Sequence, residues 1–133
     1  MIEGIGGTFI HADDAAMLAA WYRDVLGIES EQYGPGTFVL EFRVREAAGR
    51  GRLTRTVWAI FQLEPGEQRA PQSFSINYRV DSLDAMLERI RARGVTIDKR
   101  EDTGHGNFAW VHDPEGNKIE LWEDTQMEEP EAT

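Results

Sequence analysis

The sequence predicts an α+β fold made of two consecutive βαβββ modules. Two segments share one layout, which is a short strand, an aspartate, an amphipathic helix, a glycine and an apolar residue that opens another strand. They run from Thr8 to Ile28 and from Ser75 to Ile97. Asp14 and Asp81 lie 67 positions apart at the same point of this layout. A fixed spacing of this kind indicates two copies of one supersecondary unit.

Both helices are predicted from apolar residues at i, i+3, i+4 and i+7. These residues are Leu18, Trp21, Tyr22 and Val25 in the first copy, and Leu83, Met86, Leu87 and Ile90 in the second. Asp14 can cap the first helix, and either Asp81 or Ser82 can cap the second. Gly27 and Gly94, also 67 positions apart, lie where a left-handed residue would end each helix.

Alternating apolar residues predict further strands over residues 36–44, 56–63, 107–111 and 118–123. The second strand of each module has only a weak signal. Residues 113–117 (Asp-Pro-Glu-Gly-Asn) predict a hairpin turn between the last two strands. Because the strands alternate, each sheet should have one covered face. We therefore expect a curved mixed sheet with the helices outside and a cavity enclosed by its inner faces.

These elements give one predicted domain over residues 1–123. Module one spans residues 1–64, a linker covers 64–72, and module two spans 73–123. Residues 46–53 predict a flexible loop, and the arginine-bearing stretch 46–55 suggests a lid over the cavity or a contact with a partner subunit. Residues 124–133 form an acidic tail without an apolar face, which predicts disorder.

Composition excludes several classes of function. The formal net charge is −10, which disfavours binding to nucleic acid or to an anionic membrane surface. No stretch has the length and apolar character of a membrane span or of a signal peptide. The absence of cysteine excludes disulfides and thiolate metal sites and favours a cytoplasmic location.

Two segments carry a resemblance to a known family. The helix AAMLAAWYRDVLGI (residues 15–28) and the run FAWVHDPEGNKIELWE (residues 108–123) resemble the vicinal oxygen chelate superfamily. This superfamily includes glyoxalase I, bleomycin-resistance proteins and extradiol dioxygenases. The resemblance implies tandem βαβββ modules, a small organic ligand and a homodimer. In metal-dependent members it also implies a divalent ion held by His and Glu side chains.

The four metal-ligand positions that the resemblance implies are poorly filled here. Glu120 matches, but the other three positions fall on Gly7, Ser75 and Trp58. Because catalytic metal centres generally use three protein ligands, we predict neither a metal nor another cofactor at this place. His11 and Glu120 leave open the alternative of a weak, displaced divalent-metal site.

Strand alternation predicts which side chains line the cavity. In strand 56–63 it assigns Val57, Ala59, Phe61 and Leu63 to the helix, with Trp58, Ile60 and Gln62 inside. The predicted ligand-binding lining consists of Phe9, His11, Trp58, Gln62, Ser75, Asn77, Arg79, Glu120 and Trp122. His105, in a glycine-rich loop, is interpreted as a residue of the pocket rim or of the surface, and His112, next to the turn, as a structural residue.

Three functional hypotheses remain open at this point. The first is a metal-free protein that binds a small aromatic or cationic molecule between aromatic walls. The second is a lyase, isomerase or dioxygenase in which Glu120 or His11 is the catalytic base, with or without a divalent metal. The third is a purely structural or interaction protein with a collapsed cavity, in which the aromatic residues form a filled core and Arg79 pairs with Glu120.

Overall fold

The computed structural model describes residues 1–45 and 53–126, and it confirms the α+β class with tandem βαβββ modules. The chain divides into two compact units, Met1–Pro71 (unit one) and Gln72–Thr133 (unit two). Most of the predicted loop, residues 46–52, and most of the acidic tail, residues 127–133, lie outside the described residues.

Unit one contains a four-stranded mixed sheet among its described residues. Its elements are β1 (Gly7–Ala12), α1 (Ala15–Trp21) continued by a π-helical turn (Tyr22–Leu26), β2 (Glu31–Gln32), β3 (Thr37–Arg45) and β4 (Leu53–Gln62). The strand order is β1-β4-β3-β2, with β1 parallel to β4 and the other pairs antiparallel. Because β4 begins at Leu53, the predicted loop ends earlier than expected, and residues 53–55 belong to a strand.

Unit two repeats this plan. Its elements are β5 (Ile76–Val80), α2 (Leu83–Ala92), β6 (Lys99–Thr103), β7 (Gly106–His112) and β8 (Lys118–Glu123). The strand order is β5-β8-β7-β6, and β5 is parallel to β8. The weakly signalled second strand of each module is present, as β2 and β6, and the bounds of β8 match the prediction.

The caps show how the two helices correspond. Asp14 accepts a hydrogen bond from the Met17 amide (3.1 Å), and Ser82 accepts one from the Ala85 amide (3.2 Å). Ser82, rather than Asp81, is therefore the N-cap of α2. A polar side chain at this position satisfies an amide that has no partner within the helix.

The two N-caps lie 68 positions apart, one more than the two closing glycines. Gly27 and Gly94 both have left-handed backbone angles, with φ of 75° and 76°. The first helix therefore holds one additional residue between its cap and its glycine. The π-helical turn at Tyr22–Leu26 accommodates that residue, since a π turn takes up one residue more than an α turn.

Each sheet packs one face against its own helix, which forms the core of the unit. In unit one, Trp58 is 2% exposed and its ring contacts Tyr22 edge to face, with centroids 5.1 Å apart. Trp58 thus faces α1, so the predicted assignment of the β4 faces is wrong. Both sets of alternate residues in β4 are largely apolar, and hydrophobicity alone did not determine which set faces the helix.

In unit two the predicted faces are correct. The residues between the sheet and α2 are almost completely buried. They are Leu83, Leu87, Ile90, Ala109, Val111, Ile119 and Leu121. The opposite side of the β5–β8 sheet, which we call the open face of unit two, carries the intervening residues of each strand.

Candidate functional site

Glu120 and Asn77 lie together on the open face of unit two. They are direct neighbours in the parallel β5–β8 register, and Asn77 Nδ2 donates to Glu120 Oε2 over 2.7 Å. Arg79 and Trp122 are the next aligned pair on the same face. The structure therefore places four of the predicted lining residues on one surface. Ser75 immediately precedes β5 and is exposed.

An aromatic stripe crosses this face. The rings of Trp122 and Phe108 are nearly parallel, with centroids 6.4 Å apart and an interplanar angle of 8°. Phe108 and Trp110 continue the row at 6.2 Å and 17°. All three rings are half-buried. We call Trp122, Phe108 and Trp110 the aromatic stripe.

Sequence reasoning missed Phe108 and Trp110. Their register with β8 places Phe108 opposite Trp122 and Trp110 opposite Glu120. The sequence contains the signal that identifies them, which is the alternation of side chains along residues 107–111. Ala109 and Val111 pack on the helix side of β7. Alternation applied to residues 107–111 would have placed both aromatic side chains on the open face.

The Glu120 carboxylate has one oxygen engaged and one available. Oε2 accepts the hydrogen bond from Asn77, whereas Oε1 has no hydrogen-bond partner among residues 1–45 and 53–126. Arg79, which the filled-core hypothesis pairs with Glu120, forms no ion pair with it in the described structure. A half-buried carboxylate oxygen next to aromatic rings can accept a hydrogen bond or pair with a cation.

Trp122 is positioned by Gly106. A Cβ atom added at Gly106 would lie 2.5 Å from Trp122 Nε1 and 2.8 Å from the Glu123 carbonyl oxygen. The indole nitrogen is buried and has no hydrogen-bond partner in the described part of the chain. The ring therefore occupies space that only glycine leaves free, which fixes one end of the aromatic stripe.

In unit one, Phe9, His11 and Phe61 cluster on the sheet face opposite α1. Phe9 and Phe61 meet edge to face at 5.4 Å, and His11 stacks on Phe61 at 5.9 Å. Phe9 is 57% exposed. Two predicted lining residues, Phe9 and His11, are thus neighbours, and Phe61 joins them instead of facing the helix as predicted.

Gln62, like Trp58, is not on that face. Its Oε1 accepts from the Ala15 amide (2.8 Å) and its Nε2 donates to the Asp13 carbonyl (2.6 Å). Gln62 therefore supports the start of α1 on the helix side of the sheet. The expectation that Trp58 and Gln62 share a face with His11 is wrong. The residues of β4 that were predicted to face the cavity face α1 instead.

Glu123 has the same part in unit two that Gln62 has in unit one. Its Oε1 accepts from the Leu83 amide at the start of α2 (2.7 Å), and its Oε2 accepts from Asn107 Nδ2 (3.2 Å). Gln62 and Glu123 are therefore equivalent. Counting back three residues from each makes Ala59 the counterpart of Glu120.

The strand registers support this equivalence, because Phe9 aligns with Ala59 as Asn77 aligns with Glu120. The fourth metal-ligand position implied by the resemblance is accordingly Ala59 and not Trp58. Alanine, like tryptophan, supplies no metal ligand.

The positions that the resemblance implies offer few metal donors. Of Gly7, Ala59, Ser75 and Glu120, only Glu120 offers a carboxylate or imidazole, which are the donors that such centres use. At Gly7 an added Cβ would lie 2.8 Å from the Val57 carbonyl oxygen and 2.9 Å from the Phe9 ring. Throughout residues 1–45 and 53–126, no three or more His, Asp or Glu side chains are grouped so as to hold an ion.

Solved structures with the same fold include proteins of several descriptions. TnmS3, an antibiotic binding protein from Streptomyces sp. CB03234, is 24% identical, with a TM-score of 0.66 over 93% of this chain and 98% of that one. A glyoxalase / bleomycin resistance protein from Catenulispora acidiphila is 23% identical, with a TM-score of 0.61 over 90% and 98% of the two chains. A lactoylglutathione lyase from Agrobacterium tumefaciens is 20% identical, with a TM-score of 0.65 over 92% and 94%.

No curated protein matches the sequence significantly. None of the helices described is long and apolar enough to cross a membrane. The model of the glyoxalase-like domain family matches residues 7–122, which includes every strand and helix described above except the last residue of β8. The chain therefore belongs to the glyoxalase-like domain family, within the vicinal oxygen chelate superfamily.

Proposed function

We propose that the protein binds a small, flat organic molecule, aromatic or cationic, on the open face of unit two. The observation that carries this proposal is the aromatic stripe beside a half-buried carboxylate with one free oxygen. Aromatic walls with a few polar groups are typical of small-molecule sites. The stripe would stack on a planar ring, and Glu120 would orient the ligand through a hydrogen bond or a charge pair.

The magnitudes favour a ligand that combines both features. A well-placed aromatic pair contributes about 0.5–1.5 kcal/mol beyond the area that it buries. A cation over an aromatic face contributes about 0.5–2 kcal/mol, more when it is desolvated. Asn77 holds Oε2 of Glu120, so Oε1 is the atom available to a ligand ammonium group.

The family context supports a binding role without metal. TnmS3, which has this fold, is an antibiotic binding protein, and sequestration of a planar compound needs no catalytic centre. A lyase, isomerase or dioxygenase using Glu120 or His11 as base is the second hypothesis. An enzyme of this kind would need either a metal or a base placed against the substrate. The side chains at the four positions implied by the resemblance do not fit a metal. A homodimer and a cytoplasmic location remain predictions from the sequence.

The test uses two probes that share a ring and differ in charge, 1-naphthylmethylammonium and 1-naphthalenemethanol, each titrated by calorimetry. We expect the cation to bind more tightly than the alcohol. Trp122→Ala should weaken both probes about tenfold because a stacking surface is lost. Glu120→Gln keeps a side chain that can bond to Asn77 and should weaken only the cation.

Trp21→Ala is the matched control, since it removes a tryptophan from α1 of unit one. It should leave both affinities unchanged. If Glu120→Gln binds the cationic probe as tightly as wild type does, the role of Glu120 is rejected. Unchanged binding in Trp122→Ala would reject the site itself.

A further inference from the structure

Unit two also has a cavity at the end of the open face where β7 finishes and β8 begins. This cavity has a volume of about 410 Å³, within the range of roughly 300–1,000 Å³ found for small-molecule pockets. It is lined by Asp98, Lys99, Glu101, Trp110, His112 and Lys118. Glu120 and Trp122 are not part of this lining.

The cavity contains both lysines of the sequence. The chain has fourteen Lys and Arg residues, and all except Lys99 and Lys118 are arginines. An ammonium group is a compact, mobile charge, whereas guanidinium is a planar fork. Two ammonium groups in one cavity of a protein with a net charge of −10 create a local region suited to an anion.

Both acidic side chains of the cavity already have partners. Asp98 Oδ2 lies 2.5 Å from His112 Nδ1, and Glu101 Oε2 lies 3.7 Å from Lys99 Nζ. The Lys99 ammonium also lies over the Trp110 ring, 5.5 Å from its centroid. Each acidic side chain of the lining therefore has a partner within the cavity itself.

Lys118 supplies the free positive charge. Its backbone is held by Gln72, which accepts from the Lys118 amide (2.7 Å) and donates to its carbonyl (3.1 Å). Its ammonium group has no ion pair or hydrogen bond with any described residue. His112 is directly opposite Lys118 in the β7–β8 register, so their side chains lie on the same face about 5 Å apart at Cβ.

The His112 ring is oriented by its contact with Asp98. With Nδ1 bonded to Asp98, Nε2 is the ring nitrogen available to the cavity. An anion beside Lys118 would receive a hydrogen bond from its ammonium group and would lie next to the His112 ring.

From this arrangement we infer that the cavity binds a small carboxylate-bearing molecule. The carboxylate lies between the Lys118 ammonium and the His112 ring, and the organic part occupies the volume beside Trp110. The Lys118 ammonium, which has no partner among the described residues, provides the positive charge that pairs with the carboxylate. This site shares Trp110 with the aromatic stripe but requires neither Glu120 nor Trp122.

The test labels the lysines of the intact protein with ¹³C-methyl groups, which keep their charge, so that NMR reports Lys99 and Lys118 directly. Benzoate is titrated as the probe, and benzyl alcohol is the neutral match. We expect benzoate, but not benzyl alcohol, to shift both lysine signals saturably. Lys118→Gln should weaken benzoate about tenfold, and His112→Gln should weaken it to a smaller extent.

Arg93→Gln is the charge control, because it removes a cation from the end of α2, away from the cavity. Its benzoate affinity should stay within about twofold of wild type, since a distant exposed charge is screened. The inference would be overturned if the lysine signals shift linearly with benzoate or shift equally with benzyl alcohol. It would also be overturned if Lys118→Gln and His112→Gln both keep the wild-type affinity for benzoate. The naphthyl titrations use other probes and other variants, so either proposal can fail alone.

Discussion

The two units share a plan and differ in what their sheets present opposite the helix. In both, a polar side chain at the end of the last strand holds the first amide of the helix, Gln62 in unit one and Glu123 in unit two. Three residues earlier, unit one has Ala59, which is fully buried, and unit two has Glu120, which has a free carboxylate oxygen. The polar side chain that both units share supports the helix, whereas Glu120, which only unit two has, is the residue for which we propose ligand binding.

The aromatic residues differ in the same way. Unit one uses its tryptophan on β4 as core, against Tyr22. Unit two places the two tryptophans of β7 and β8 on the open face, in line with Phe108. Tryptophan therefore fills the core in unit one and lies on the open face in unit two. Measurements of stability and of binding can separate these two roles.

The largest expected effect is on stability, from Trp58→Ala. The side chain is 2% exposed, so its removal leaves a cavity in the core of unit one and should cost about 3–5 kcal/mol. Urea unfolding measures this loss. Trp122→Ala is the matched comparison, and it should cost clearly less because its ring is half-buried. Equal losses would contradict the division of roles between the two tryptophans.

Gly106→Ala should have the next largest effect. The new methyl group would collide with the Trp122 indole and with the Glu123 carbonyl, and overpacking of this kind costs about 1–3 kcal/mol. Because the Trp122 ring must move, binding of the naphthyl probes should also weaken. Gly104→Ala is the control, since an added Cβ there meets nothing within 4 Å. If the two variants behave alike, Gly106 does not position the stripe.

The smallest expected effects come from the helix supports. Gln62→Ala should lower the free energy of unfolding by about 1 kcal/mol and Glu123→Ala by about 1–2 kcal/mol, since hydrogen bonds to a charged acceptor are stronger. Glu123→Gln should recover part of the loss. Unfolding curves of the three variants test the equivalence of the two positions, and an unchanged stability in both alanine variants would reject it.

The sequence predicted the fold from local signals. Helix periodicity, the Asp14 cap, the two closing glycines and the Asp-Pro-Glu-Gly-Asn turn act over short distances, and each is visible in the residues themselves. The open face of unit two also followed, because polar Asn77 and Glu120 alternate with strongly apolar neighbours. The apolar residues of these strands must face the helix, so the polar residues between them lie on the open face.

The parts that could not be predicted depend on long-range packing. In β4, Trp58 and Ile60 alternate with Val57, Ala59 and Phe61, so either phase buries apolar surface, and only the contact with Tyr22 decides between them. The contact between His112 and Asp98 depends on the register of β6 and β7, and β6 has only a weak signal in the sequence. His112 was interpreted as a structural residue next to the turn, and the cavity that it lines was not anticipated.

The most direct test of the central claim uses the four tryptophans as reporters. Their indole N–H signals in NMR distinguish Trp110 and Trp122 on the open face of unit two from Trp58 in the core and Trp21 on α1. On titration with 1-naphthylmethylammonium, the account predicts saturable shifts of the Trp110 and Trp122 signals, with Trp21 and Trp58 unmoved. Saturable shifts confined to Trp21 or Trp58, or no saturable shift at all, would contradict it.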